Sequence, residues 1–567
     1  MRKTAMKVGV ILASTALLAG CAAGGDEGAG TKGGTLYVLT NAEQILHLDP
    51  QRNYTGADMA FAGATMHRSL VTYDEKGNII PDLATDTGRT SDAGKTWEFT
   101  LRDGITYEDG SAIVCEDVKY GMSRSFATDV ITDGPAFLVT YLDVPTDEDG
   151  SSAYKGPYVG EGQELYDDAF KCVDDKNMVI RLNTPIIDFN GAFTLLISSP
   201  VPESADTGES YDDRPLSSGP YKIENYEIGR ELVLVRNENW DPASDPIRKA
   251  YPDEIVMEFA LDPKIIDERI IASSGPDAYA ISYGIQLENL DRVFDDAELS
   301  ARAINAYDPY SRYVAINTKS VSCVEVRKAL YYGLDRDALI TLAGGKYAGD
   351  LADGVIKPNL PLDYQKVTGY DDLVPAGSQE LATEWMEKAK TACPDVYERA
   401  TTTGLTFDYG ASDAADKVAG VWVSSLEANA GIKIIPNPIE PGQYYGVVLS
   451  DSQGDLSAAG WGPDWQNAST VVPALFTPDG GFDLSHAAEG DADAYADFAE
   501  IVANGKKETD RTAQGAIWAS GNQLAMDRVW VVPTRFGRSQ YIHGTGVVGA
   551  YFWDAYGWYN LSTLSVK

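Results

Sequence analysis

The sequence predicts an α/β protein of more than one lobe, on three observations. Its 567 residues exceed what one hydrophobic core organises. Residues 405–435 read as strand, helix, strand, the unit of a parallel pair with a right-handed crossover. Segments of period two, such as 96–101 with Trp97, Phe99 and Leu101 on one face, stand beside amphipathic helices. A hydrophobic fraction of 44% and a charged fraction of 23% are those of a globular chain, not a disordered one. The formal net charge of −39 argues against nucleic acid as a partner, whose phosphates demand a basic face. It also favours cationic ligands near the surface, although most of it reads as solvated charge.

Arg2, Lys3 and Lys7 precede an apolar run at 8–19, well short of the ~20 residues that span a bilayer, so 1–20 reads as a signal peptide. It ends in Leu18-Ala19-Gly20-Cys21, which looks like a bacterial lipobox. That likeness implies lipidation of Cys21, where two acyl chains make a stable anchor. Residues 21–34 are small, Gly-rich and polar, a flexible tether. The expected location is therefore extracytoplasmic, on the outer face of the cell membrane.

Four cysteines follow Cys21: Cys115, Cys172, Cys323 and Cys393. None form a Cys-x-x-Cys pair and the four His are scattered, so no metal site is expected. Widely spaced cysteines in an oxidising compartment read as two disulfides, with three pairings open.

Taken in order, 35–40 opens the globular part as a strand. Strand 96–101 turns at Asp103-Gly104, runs back through Ile105 and Tyr107, and turns again at Asp109-Gly110. A helix follows with Asp117 in its first turn and Val118, Met122 and Phe126 four apart. Residues 143–162 form an acidic loop without the ligands of a calcium site. Residues 218–223 lead into a hairpin turning at Gly229, with 231–236 as its return strand and 255–259 as a further strand. Beyond Pro309, 313–317 is a strand, and Ser322-Cys323-Val324-Glu325 reads as a capping box for a helix bearing Val326, Leu330 and Leu334. Arg327 on that helix reads as a surface charge. Ser412 caps, and Gly431 stops, the helix between strands 405–409 and 432–435. Strand 456–459 follows, and 529–532 reads as a strand with Pro533 after it. A Gly-x-Gly-x-x-Gly match at 544–549 lacks both the βαβ context and the downstream acid of a nucleotide site.

The candidate ligand contact is Gly460-Trp461-Gly462-Pro463-Asp464-Trp465, a turn at the carboxyl end of strand 456–459. Two indoles flanking one carboxylate suit a cationic head group on a partly apolar ligand. On its own the stretch reads first as a surface turn whose indoles plug a local core.

The wider pattern changes that balance. Gly33-Gly34-Thr35-Leu36, Leu48-Asp49-Pro50, Pro81-Asp82-Leu83-Ala84, Trp97-Glu98-Phe99-Thr100-Leu101-Arg102-Asp103-Gly104 and Glu116-Asp117-Val118-Lys119-Tyr120 resemble, in this order, the family 5 extracellular solute-binding proteins of ABC transporters. Asn237-Glu238-Asn239-Trp240 and Val326-Arg327-Lys328-Ala329-Leu330 with Asp335-Arg336 extend the likeness over the chain from Gly33 on. The resemblance implies a two-lobed, periplasmic-binding-protein-like α/β fold, with an extra subdomain in the first lobe and two crossing segments as hinge. It divides the chain into lobe I at 35–311 (subdomain about 72–195), lobe II at 312–530 and a return to lobe I at 531–567. It implies a peptide ligand held between the lobes as an added strand, and as partners an ABC permease with cytoplasmic ATPase subunits. It also implies a monomer, no catalytic residue and no cofactor.

In the family an Asp three residues after the Trp of a Gly-Trp turn clamps the ligand ammonium, which points to Asp464, with Gly460, Trp461, Gly462 and Trp465 around it. Two departures stand out: Trp465-Gln466-Asn467-Ala468 replaces an acid-Pro pair, and Ala458 stands where one branch carries an Arg for the ligand carboxylate. The carboxylate partner is thus unplaced. Under the implied lobe division the disulfides pair as Cys115–Cys172 and Cys323–Cys393, since a bridge between lobes would oppose opening. Two other readings share the fold: an oligosaccharide binder stacking sugars on Trp461 and Trp465, and a receptor that senses peptide without import. A secreted hydrolase would need a motif such as Gly-x-Ser-x-Gly or His-Glu-x-x-His, and the sequence has neither.

Overall fold

A computed structural model describes residues 30–567; the signal-peptide reading and the lipidation of Cys21 lie outside the described residues. The chain forms two lobes. In lobe I, strand Thr35–Leu39 lies between two parallel neighbours, Glu254–Glu258 and Ala280–Ser282. Its Leu36 and Val38 alternate into the core, as period two requires. The hairpin Tyr221–Glu227 and Glu231–Arg236 extends the sheet antiparallel, and Gly229 supplies the left-handed residue of its turn (φ +74°). The end of the chain closes this lobe: Trp558 stacks on Tyr283 at 4.7 Å and donates from Nε1 to Ser282 O at 3.1 Å.

The subdomain of lobe I corrects one expectation. Strand Thr96–Thr100 does not pair with a return through Ile105 and Tyr107; its partner is Asn177–Arg181, which also pairs with Phe170–Cys172. The segment after Asp103-Gly104 makes only a single bridge, Thr106 to Ala112, before helix Cys115–Arg124. A disulfide joins Cys115 at the start of that helix to Cys172 on the edge strand. The motifs near the N-terminus prove to be buried ion pairs. Asp49 takes a two-pronged contact from Arg124 (2.8 and 2.6 Å), and Asp82 takes Arg68 and Arg248 (both 2.8 Å). All of these side chains are sealed from water, so each charge depends on its partner.

Lobe II is built on a six-stranded sheet in the order 349–351, 531–542, 303–316, 456–461, 405–410, 434–439. Strands Ala303–Ile316 and Val531–Ile542 are the two crossing segments, paired antiparallel from Ala303 opposite Ile542 to Ala315 opposite Val531. Pro533 therefore lies inside the strand Val531–Ile542, not after a strand at 529–532 as the sequence suggests. It lies opposite Tyr313 where the register slips, and such a bulge accommodates a residue with no N–H to donate. Strands Leu405–Gly410 and Ile434–Ile439 are parallel, with helix Asp413–Ala430 between them, capped by Ser412 Oγ and stopped by Gly431 at φ +65°.

The capping box at Ser322 does not form. Helix Val324–Gly333 begins one residue later with Cys323 as N-cap, which leaves Glu325 out of register for the reciprocal bond. Cys323 is instead bonded to Cys393. Arg327 is not a surface charge either. It is fully buried, donating to Asp491 Oδ2 (2.6 Å) and to the carbonyls of Val321, Ser322 and Arg528 (each 2.9 Å).

Candidate interlobe binding site

The site strand is longer than its sequence suggests. Leu456–Trp461 continues through Gly460 and Trp461 because Arg312 and Ser311 of the crossing strand pair with them; the turn starts at Gly462. Gly460 carries no side chain because Arg312 lies across it: a Cβ there would meet Arg312 Cδ at 3.2 Å. At Gly462 a Cβ would meet the Tyr310 ring at 3.0 Å.

Only the first two residues of this strand are paired on its far side, where Leu456 and Ser457 face Phe407 and Asp408. From Ala458 on, that edge has no neighbouring strand among the described residues. Trp461 O accepts from Ser311 Oγ (3.4 Å) on the crossing strand, while Ala458 O accepts from Tyr444 Oη (2.5 Å) on the opposite side. Alternation then directs the Gly460 N–H and C=O to the open edge, a template for an added strand.

The turn crosses to lobe I. Trp465 is buried in the lobe I core, edge-on to Phe137 (5.4 Å) and Phe189 (6.4 Å), and its Nε1 donates to Asp188 Oδ2 at 2.8 Å. Ser469 Oγ donates to the same oxygen, and Gln466 N–H donates to Tyr73 Oη at 3.2 Å. The lobes are thus closed on each other. Trp461 stays in lobe II, with Phe482 at 4.9 Å and Nε1 donating to Thr470 O at 2.8 Å. The Trp465 indole is therefore no open platform, and the half-buried Trp461 ring has Phe482 against it.

Asp464 lies at this junction, half-buried. Its backbone N–H donates to Thr470 Oγ1 (3.1 Å), fixing the turn, and its Oδ1 accepts from Tyr54 Oη of lobe I (2.5 Å). Burial pushes the carboxyl up to about 6, and only the Tyr54 hydrogen bond pulls it down. Among the described residues no basic side chain offsets it, so the site has a carboxylate with an unfilled demand for positive charge. Tyr310 stands beside it, its hydroxyl pushed up mainly by burial and in part by Asp308 and Asp464, against the pull of Arg312.

The structure therefore gathers Gly460, Trp461, Gly462, Asp464 and Trp465 into one strand-turn unit, but sends Trp465 into lobe I rather than into the cleft. Sequence reasoning missed Tyr54, Asp188, Tyr310 and Arg312. Tyr310 and Arg312 carried a signal, since they flank the expected crossing point; Tyr54 and Asp188 carried none.

Residues 78–483 match the family model described as bacterial extracellular solute-binding proteins, family 5 middle. Among similar proteins, the periplasmic oligopeptide-binding protein OppA of Salmonella typhimurium is 24% identical, with 94% of this chain and 93% of that protein covered. The oligopeptide-binding protein OppA of Bacillus subtilis is 22% identical, with 98% and 100% covered. A solved structure, clavulanic acid biosynthesis oligopeptide binding protein 2, superposes with a TM-score of 0.82 at 27% identity, over 95% of this chain and 99% of that one. The matched span, the two hinged lobes and the strand-turn unit between them agree, and the chain belongs to the family 5 bacterial extracellular solute-binding proteins, a family of binders rather than enzymes.

Proposed function

We propose that this protein captures peptides between its lobes and passes them to the membrane permease of an ABC importer. The observation that carries this is the open edge of the site strand, with the Gly460 N–H and C=O facing it, four residues before an uncompensated carboxylate. An extended peptide adds to such an edge through its backbone, so its sequence matters little, while its α-ammonium pairs with Asp464. Likenesses to proteins named as oligopeptide binders support the same reading. The sugar-binding alternative loses ground because the Trp465 indole is buried in lobe I and the Trp461 indole packs on Phe482. Attachment through a lipidated Cys21 completes the proposal, since it would hold the binder near the permease; among the described residues no helix is long and apolar enough to cross a membrane.

The test is calorimetry with short peptides in free and N-acetylated form, on wild type and Asp464→Ala. Removing either partner strands a buried charge, at a cost of roughly 2–5 kcal/mol in affinity. Because both changes delete one interaction, the combination should lose less than the sum. Equal binding of free and acetylated peptide by wild type, or tight binding of a neutral oligosaccharide, defeats the ammonium clamp.

A further inference from the structure

Next to the open strand edge lies a cavity of about 200 Å³, between the lobe II sheet and helices Arg336–Leu342 and Asp413–Ala430. Its walls are largely apolar, including Val314, Leu339, Phe407 and Ala458 of the site strand. Its polar groups are of another kind. Arg312 and Arg535 are direct register partners on the two crossing strands, and both line the cavity. Arg312 Nη1 is buried with no acceptor among the described residues. Among the described residues Arg535 donates only to Ala348 O, at 3.5 Å. Trp422, fully buried in the wall, also has an indole N–H without an acceptor among the described residues. Every one of these groups is a donor.

Charge points the same way. The nearest carboxylate, Asp308, is shared between Arg312 Nη2 (3.3 Å) and the buried Lys357 Nζ (3.0 Å). Arg312 thus shares its one carboxylate with Lys357, and Arg535 beside it has no ion pair among the described residues, in a chain whose net charge is −39. Two guanidiniums held side by side, half-buried, repel each other unless an anion joins them. A carboxylate supplies four lone-pair sites in a plane that matches the guanidinium fork.

We infer that Arg312 and Arg535 bind a carboxylate of the ligand at the mouth of this cavity, whose apolar walls take the side chain next to it. This rests on the peptide reading and deepens it. Asp464 would hold the positive end, and the arginine pair a negative group farther along the same strand edge. Tyr310 spans the two, with the Arg312 guanidinium 4.9 Å from its ring centre and its ring against Gly462. The carboxylate is either the peptide C-terminus or an acidic side chain.

The experiment uses a pool of tri- to pentapeptides, each made as free acid, as C-terminal amide, as amide with an internal Glu, and as N-acetylated acid. Bound species are read by native mass spectrometry and ranked by competition calorimetry, on wild type, Arg535→Gln and Arg535→Lys. Wild type should prefer free acids over amides by about tenfold or more, the worth of a charge-assisted hydrogen bond. Arg535→Gln should erase most of that preference while N-acetylation still weakens binding, and Arg535→Lys should restore part of it. Recovery of affinity in the internal-Glu amides assigns the site to side-chain carboxylates; no recovery assigns it to the C-terminus. Equal binding of acids and amides, with N-acetylation still harmful, overturns this inference and leaves the peptide reading standing. No binding by any form overturns both.

Discussion

Gly191 of lobe I and Trp465 of lobe II meet so closely that a Cβ on Gly191 would lie 2.3 Å from the indole Cγ. The glycine is what lets the indole pass under Phe189 and reach Asp188. Gly191→Ala should therefore obstruct closure without disturbing either lobe. Small-angle scattering of the ligand-free protein should show a larger radius of gyration than wild type. Peptide affinity should fall about tenfold or more, in proportion to the lost closed population. An unchanged scattering curve would show that closure does not run through this contact.

Arg327 tests a second relationship, inside lobe II. Its guanidinium is sealed against Asp491 and three carbonyls, so Arg327→Ala leaves buried acceptors and a weakened charge balance. Breaking a buried pair costs about 3–5 kcal/mol, and because Arg528 also contacts Asp491 (2.6 Å) the lower end is expected here. Lys417→Ala, at an exposed position of helix Asp413–Ala430, should stay within about 0.5 kcal/mol. Chemical denaturation of the two variants separates the cases.

The disulfides close loops with sequence separations of 57 and 70 residues, each within one lobe. Replacing Cys115 and Cys172 together by Ser should cost about 4 kcal/mol in the chain-entropy account. Peptide binding should persist in the folded fraction, since neither cysteine approaches the site strand. Non-reducing peptide mapping of wild type should recover 115–172 and 323–393 as linked pairs; a 115–393 link would refute the pairing.

What could be read from sequence follows the range of the interaction concerned. Ser412 and Gly431 were legible because capping is settled within a turn of helix, by a side chain three residues from its target and by one left-handed residue. Asp464 was legible as a carboxylate in an aromatic turn. Its environment was not, because Tyr54 is 410 residues away and arrives only when the lobes close. Arg327 was misread for the same reason: nothing on its own helix announces Asp491, 164 residues on. Pro533 failed the opposite way. The local reading of a strand with the proline after it was overridden by a register slip against Tyr313, which only the paired crossing strand supplies.

The sharpest consequence of the site's electrostatics is a pH dependence of binding. Burial raises the Asp464 carboxyl to about 6 in the closed protein, and an ammonium beside it would stabilise the charged form and lower that value. From about pH 7 upward the carboxylate is almost fully charged, so affinity for a free peptide is full and flat. As pH falls through 6 the unliganded protein gains a proton that binding must expel, and affinity drops by about tenfold per pH unit. The fall ends at the lower pKa of the complex. The tyrosines near Asp464, Tyr54, Tyr73, Tyr141 and Tyr310, are all shifted upward chiefly by burial and so do not titrate in this window. Asp464→Asn should bind more weakly at neutral pH and lose the slope between pH 5 and 7; wild type with N-acetylated peptide should lose it too. Calorimetry across pH 5 to 8 decides the matter. If Asp464→Asn keeps the wild-type slope, another group carries the proton and Asp464 is not the ammonium's partner.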